Sequence, residues 1–492
     1  MTTPPPDHAT AELPSSAASP ATPPPGCPAH GLDQGLGPDG IRRLYGPEAA
    51  ADPMGLYEKL RAEHGTVAPV LVQGDLQAWL VLGHRENLDV ARTPSRFSRD
   101  SRRWRDMQDG KVGADHPLAP VAAWQPLCNF VDGVEHERLR GAVTDGLARF
   151  DRRGVRRYVT RFADQLIDGF AAAGQAELVS QFAEHLPMLV MTQLLGMPEE
   201  YGPRLVDAAR DMVKGTATAL ASNDYIVATL RQLVERRRAA PGDDDFVSWL
   251  IEHSAGLTDD EIMEHLRLVL ITAFETTANL IANTLRMVLT DQRFRASLAG
   301  GRMTLPDALE QVLWDEPPLT TILGRWATGD TELGGQQIRA GDMLLLGLAA
   351  GNVDPAIRPD LTVPVHGNRS HLAFGGGPHE CPGQDIGRAI ADTGIDALLV
   401  RLPDLRLAVP EHELSWVSSL MSRHLIALPV EFTPVRAKQA AASESTSVTL
   451  PVQPAGPDPV SAPAPASDQL PRPRRGWWSA LVRWVTGRQD LE

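Results

Sequence analysis

From Thr258 to Thr290 the chain reads "TDDEIMEHLRLVLITAFETTANLIANTLRMVLT", without a proline. Thr258 and Glu261 stand at capping-box spacing, so a helix is predicted to start there. At 1.5 Å per residue it would run roughly 50 Å. A helix this long and apolar has to cross the core of a large domain. Its centre nevertheless carries Glu275, Thr276 and Thr277. Threonine hydroxyls in helices often bond back to the carbonyl four residues earlier. The alternative is a polar notch that opens onto a cavity and relays protons, for which a buried Glu beside a Thr is suited.

Around this helix, residues from about 39 to 436 alternate long helical patterns with short, turn-rich strands, predicting a mainly α fold with a small β region. The stretch "RRYVTRFADQLIDGFAAAG" has an apolar stripe at helical spacing and stops at Gly174. In "TELGGQQIRAGDMLLLGLA" a turn is expected at Gly334-Gly335 between two short strands. There is no regular strand–helix alternation, so a doubly wound sheet is not expected. Residues 1–38 and 437–470, rich in Pro, Ala and Ser, are expected to be a disordered arm and a linker. In the arm, Cys27 stands three residues before His30, too few ligands for a zinc site.

A second stretch, "AFGGGPHECPGQ", surrounds Cys381 with glycines and prolines. Pro382 suits the first turn of a helix, so Cys381 is placed at or just before a helix N-terminus, where dipole and N–H groups favour a thiolate. Gly375 and Gly377 permit backbone shapes that side chains block and let a flat ligand approach the main chain. The glycine-rich phosphate motifs are missing from this stretch. One axial thiolate on a metal fits the residues better than a structural cysteine.

These residues resemble the haem-binding signature of the cytochromes P450, F-G-x-G-x-H-x-C-x-G, at all six fixed positions: Phe374, Gly375, Gly377, His379, Cys381 and Gly383. The resemblance covers roughly residues 40 to 436 and implies haem b, with Cys381 as the iron ligand. "DGVEHERLR" is similar to a family segment and carries over His136 and Arg140 as haem-propionate contacts; Arg325 in "GRWATGDTELGG" and His371 in "HLAFG" occupy further propionate positions. "TAFETT" resembles the oxygen-binding groove motif, with Thr276 and Glu275 as the proton-relay pair and with Thr272 and Ala273 in place of the family's small residues. One departure is larger. The family's E-x-x-R pair falls in "LEQVLWDEPP" at Gln311 and Trp314, and the arginine that joins it falls by spacing at His366. Replacing all three together would leave no buried charge unpaired. An actinobacterial subgroup, some of whose members are encoded beside sensor-like proteins and a small GTPase, resembles the chain in reading E-Q-x-L-W.

The implied activity is monooxygenation of a small apolar substrate, with electrons from a separate ferredoxin and its reductase. The alternative is a haem-bearing regulatory or sensory subunit of a membrane-proximal GTPase complex. A net charge of −15 argues against nucleic acid as a partner. Three sparse cysteines, with no signal-peptide pattern at the N-terminus, suit a cytoplasmic location. Residues 471–492 differ from the rest: "RPRRGWWSALVRWVTGR" combines arginines with three of the chain's ten tryptophans. This pattern is expected to lie on a membrane or a membrane-bound partner as a peripheral anchor, because its apolar run is too short to span a bilayer.

Overall fold

The computed structural model describes residues 35–436, apart from 114–115, 215, 242–243, 302 and 366. Cys27 and His30, the linker, the 471–492 segment and His366 lie outside the described residues.

The long helix spans Asp259–Thr290, and its capping box is formed in both directions: Glu261 N–H donates to Thr258 Oγ1 at 3.2 Å and Thr258 N–H to Glu261 Oε2 at 2.9 Å. Its length and hydropathy match a membrane-crossing helix, yet Leu266, Leu270, Phe274, Ile281 and Leu285 are buried within the fold. Burying each such side chain contributes about 1.5–3 kcal/mol. Helix Gln384–Arg401 packs against both the long helix and helix Arg152–Phe170. Arg401 clamps the latter by ion pairs to Asp164 and Asp168, at 3.0 and 2.6 Å. The expected stop after Arg152–Phe170 is present: a short 3-10 turn leads to Gly174 in the left-handed region, φ 71°.

The β part is small, as expected. A five-stranded sheet runs in the order Val67–Val72, Leu76–Val81, Met343–Gly347, Thr321–Ala327, Phe97–Ser98, with a single parallel pairing between Leu76–Val81 and Met343–Gly347. The predicted hairpin is Thr331–Leu333 and Gln336–Ile338, turning on Gly334 and Gly335 with φ of 55° and 78°. A register shift between Leu323 and Arg325 marks a bulge in the sheet. Bulges re-aim side chains. This one delivers Arg325 to the wall of the molecule's large cavity.

Candidate active site

That cavity, of about 330 Å³, lies between the middle of the long helix, the cysteine loop, helix Gly133–Ala148 and the Arg325 strand. Ligand pockets commonly hold about 300–1,000 Å³, so the space falls at the low end of that range. Leu268, Val269, Leu313, Leu319 and Ile322 make much of the wall apolar, while Arg99, Arg140, Arg325 and His379 supply cationic or imidazole groups.

Cys381 reaches this wall because its loop is tightly wound. Gly375 N–H donates to Leu372 O at 2.7 Å, Glu380 N–H to Gly377 O at 3.0 Å, and Cys381 N–H to Phe374 O at 2.9 Å. Gly375 and Gly377 have φ of 71° and 68°, which only glycine adopts readily. A Cβ on Gly377 would lie 2.4 Å from Ala91 O, whereas the space where Gly375 lacks a Cβ is open. Helix Gln384–Arg401 begins just after, with Gly383 as its N-cap. The expectation of a thiolate favoured by the helix start is corrected in one respect. Burial pushes the Cys381 thiol up, and the Gly383 N–H, Arg140 and Arg388 only partly oppose it. A bound metal ion would displace the Cys381 proton, which would leave to solvent, so deprotonation there would accompany metal binding.

Asp132 joins the Arg99 backbone to the His379 ring. Its carboxylate accepts from Ser98 Oγ at 2.6 Å and from Arg99 N–H at 2.8 Å, and pairs with His379 Nε2 at 3.1 Å. Burial would raise its pKa, but these bonds hold it at about 2. Arg99 donates to the carbonyls of Asn129, Leu323 and Gly324, and burial pulls it down to about 10. Arg325 is 4% exposed, and among the described residues its guanidinium makes one hydrogen bond, a long contact to Gly324 O at 3.4 Å; burial, then Arg99, depresses its pKa strongly. His136 is packed against His379, ring centroids 4.1 Å apart, rather than lining the cavity. Arg140 lines it and bonds Glu380 O. His136 Nε2 and His379 Nδ1 are buried without hydrogen-bond partners among the described residues. An under-bonded guanidinium and orphaned imidazole nitrogens at or behind the wall of an apolar cavity fit a flat apolar group bearing carboxylates, for which Cys381 would be the metal ligand. The residues therefore fit haem b. Arg99 and Asp132 were missed in the sequence. The only available signal for Asp132 was its place four residues before His136.

His371 does not take its expected place. Its side chain is 1% exposed, does not line the cavity, and meets Glu310 Oε2 through Nε2 at 2.9 Å. Glu310 is the reason, since a buried carboxylate draws every available donor. Arg388 Nε reaches it at 2.6 Å and Nη2 at 3.2 Å. Burial alone would raise Glu310, but His371 and Arg388 hold it at about 2.

The relay pair is split between two sides of the long helix. Thr276 lines the cavity, with Oγ1 donating to Thr272 O at 2.8 Å, so the back-bonding geometry and a cavity position coexist. Glu275 instead borders a separate small cleft with Glu184, Arg210 and His424, where Ser422 Oγ donates to it at 3.4 Å. Burial pushes its carboxyl up. Consecutive helical residues do not face each other, so the two groups are not in direct contact.

The substituted E-x-x-R region is also not charge-free. Gln311 Nε2 donates to Asp315 Oδ2 at 2.7 Å, and Gln311 Oε1 accepts from Val365 N–H at 3.0 Å. Trp314 is fully buried and donates Nε1–H to Asn368 O at 2.8 Å. Arg358, itself buried, pairs with Asp315 at 2.8 Å and lies 5.4 Å from the Trp314 ring centre. An ion pair in new places thus replaces the expected neutral set.

No protein-family model matches the chain. Curated proteins do. The cytochrome P450 monooxygenase PikC of Streptomyces venezuelae is 31% identical over 405 residues, covering 79% of this chain and 92% of that one. The 2-hydroxy-5-methyl-1-naphthoate 7-hydroxylase of Streptomyces carzinostaticus is 30% identical over 397 residues, covering 78% and 96%. Among solved structures, CYP154A1 from Streptomyces coelicolor A3(2) matches with a TM-score of 0.68 at 30% identity, over 79% of this chain and 99% of that one. CYP154C4 from Streptomyces sp. W2061 matches with a TM-score of 0.71 at 27% identity, over 79% and 97%.

Proposed function

The chain belongs to the cytochrome P450 family of oxygenating haem enzymes, and from that premise we propose that it oxygenates a small apolar organic molecule with electrons from a separate ferredoxin and its reductase. The observation that carries this reading is that Cys381 and Thr276 line one cavity whose wall is otherwise largely apolar. When bound, the haem supplies the iron that activates oxygen. Cys381 Sγ would be the ligand that holds its iron, and a thiolate there would push electron density toward the metal. Arg99, Arg325 and Arg140, which line the cavity, would neutralise the haem's carboxylates, while burial holds the neighbouring His379 neutral, with its pKa at about 3. Leu268, Val269, Leu319 and Ile322 hold the substrate and exclude water, which strengthens each polar contact that remains.

Thr276 holds a proton at Oγ1. Its bond to Thr272 O fixes the hydroxyl while leaving the oxygen's lone pairs free to accept from water in the cavity. Glu275, kept more readily protonated by burial, stores a proton on the far side of the same helix turn. Apolar compounds should be screened for a shift of the haem spectrum on displacing axial water. Hits should then be turned over with ferredoxin and reductase. Turnover that tracks the spectral hits supports the proposal; spectral binding with no product from any hit, with either reduced ferredoxin or peroxide, defeats it. Thr276→Ala should keep ligand binding and divert electrons into peroxide, lowering product per electron by ~100-fold. Unchanged yield would place proton delivery elsewhere.

The regulatory reading drew on the replaced triad and on the C-terminal segment. The first is an internally paired network among the described residues. We keep the second, residues 471–492, as a peripheral anchor on a cytoplasmic protein, supported by its tryptophans beside five arginines. Deleting it should abolish binding to anionic vesicles and leave the haem spectrum unchanged. A full-length chain that ignores such vesicles sinks this idea.

A further inference from the structure

Helix Leu305–Asp315 carries Glu310 and Asp315 on either side of the substituted stretch Gln311–Trp314, and the two acids serve different neighbours. We propose that Glu310 is a positioning residue for Cys381, tying the two flanks of the cysteine loop together, while Asp315 performs a separable structural task. This rests on Cys381 being the iron ligand.

The flank that enters the loop is held through His371. Its Nδ1 accepts from Ala373 N–H at 3.3 Å, so Nε2 carries the proton that it donates to Glu310. The flank that leaves the loop is held through Arg388, whose guanidinium forks onto both Glu310 oxygens and also donates to Gln384 Oε1 at 3.0 Å. The same guanidinium lies 4.4 Å from the centre of the Phe374 ring. Phe374 in turn lends its carbonyl to Cys381 N–H and lines the cavity. The paths through His371 and Arg388 therefore reach the segments on either side of Cys381. A carboxylate 4% exposed and met by Arg388, His371 and Arg369 gives these paths a fixed common point.

Asp315 faces elsewhere. It joins Arg358 and Gln311, and through Gln311 the backbone at Val365. Between the two networks stands the Trp314 ring, edge-on to His371 at 5.9 Å and stacked on His84 at 6.2 Å. An apolar spacer of that size lets one pair be altered without a direct electrostatic effect on the other.

The test uses the full, haem-loaded chain and two readouts: the fraction of reduced, CO-bound protein with a thiolate-type Soret band, and the rate of haem transfer to apomyoglobin. Unmodified protein without that band would refute the Cys381 assignment itself, a failure distinct from failure of this proposal. Glu310→Gln is expected to reduce the thiolate-type fraction to a minority and to speed haem transfer ~10-fold, in the range for residues that orient a metal ligand. Asp315→Asn is expected to lower the melting temperature while leaving both readouts as in the parent. Should Glu310→Gln fail to fold, Arg388→Lys keeps the charge and loses the fork and the stack; it is expected to move the same two readouts. Parental values in the folded Glu310→Gln or Arg388→Lys protein, or equal shifts in Asp315→Asn, overturn the proposal.

Discussion

Between Phe374 and Gly383 two glycines are fixed by backbone demands, whereas between Glu310 and Asp315 what is fixed is a balance of charge. In the loop, positive φ selects glycine at 375 and 377, and the approach of Ala91 O selects it again at 377. Such constraints are local and cannot be moved. In the helix, Gln311 and Trp314 stand where a charged pair is expected, and the charge reappears on Arg358 and Asp315 with Glu310 serving the loop. Electrostatic compensation needs only proximity in space, so it can migrate along the chain.

The comparison is broken most severely at Trp314. Trp314→Arg would set a second cation beside Arg358 with no free acid to meet it, costing ~3–5 kcal/mol. A lower melting temperature and reduced haem content are expected. Adding Gln311→Glu should not rescue it, because position 311 already lies 2.7 Å from the Asp315 carboxylate. Undiminished stability in the single variant, or full rescue in the double, would show that the family's original pair can simply be restored.

The loop is probed at Gly377. Gly377→Ala forces a side chain into φ 68° and against Ala91 O; strain of this kind costs about 1–3 kcal/mol. It should fall on haem binding more than on global unfolding. Equal haem affinity before and after the change would mean that the loop is not backbone-limited.

The smallest effect is in acid. Glu310 and Asp132 are both held at about 2 in the fold, below the roughly 4 expected of unfolded carboxylates. The fold therefore binds fewer protons than the unfolded chain between these values, and stability is lost as pH falls through that window. Melting temperature should decline steeply from about pH 4.5 downward, and Glu310→Gln should flatten the decline. An identical slope in the variant would remove Glu310 from the account.

The same contrast explains what could be read from the sequence. The long helix, its cap, the Gly334-Gly335 hairpin, the stop at Gly174 and the cysteine loop rest on local patterns and were legible. His371 was misplaced because its partner, Glu310, is 61 residues away and no spacing rule connects them. Arg99 escaped notice for a like reason: what distinguishes it is burial against Asn129 and the bulged strand. Glu275 and Thr276 read as a pair because they are adjacent, and helical geometry sends adjacent side chains to different faces.

The central claim is that Cys381 holds the iron. The reduced, CO-treated protein should show the strongly red-shifted Soret band of a thiolate ligand, and Cys381→Ser should lose it while remaining folded by circular dichroism. A Cys381→Ser protein that kept the band would contradict the account.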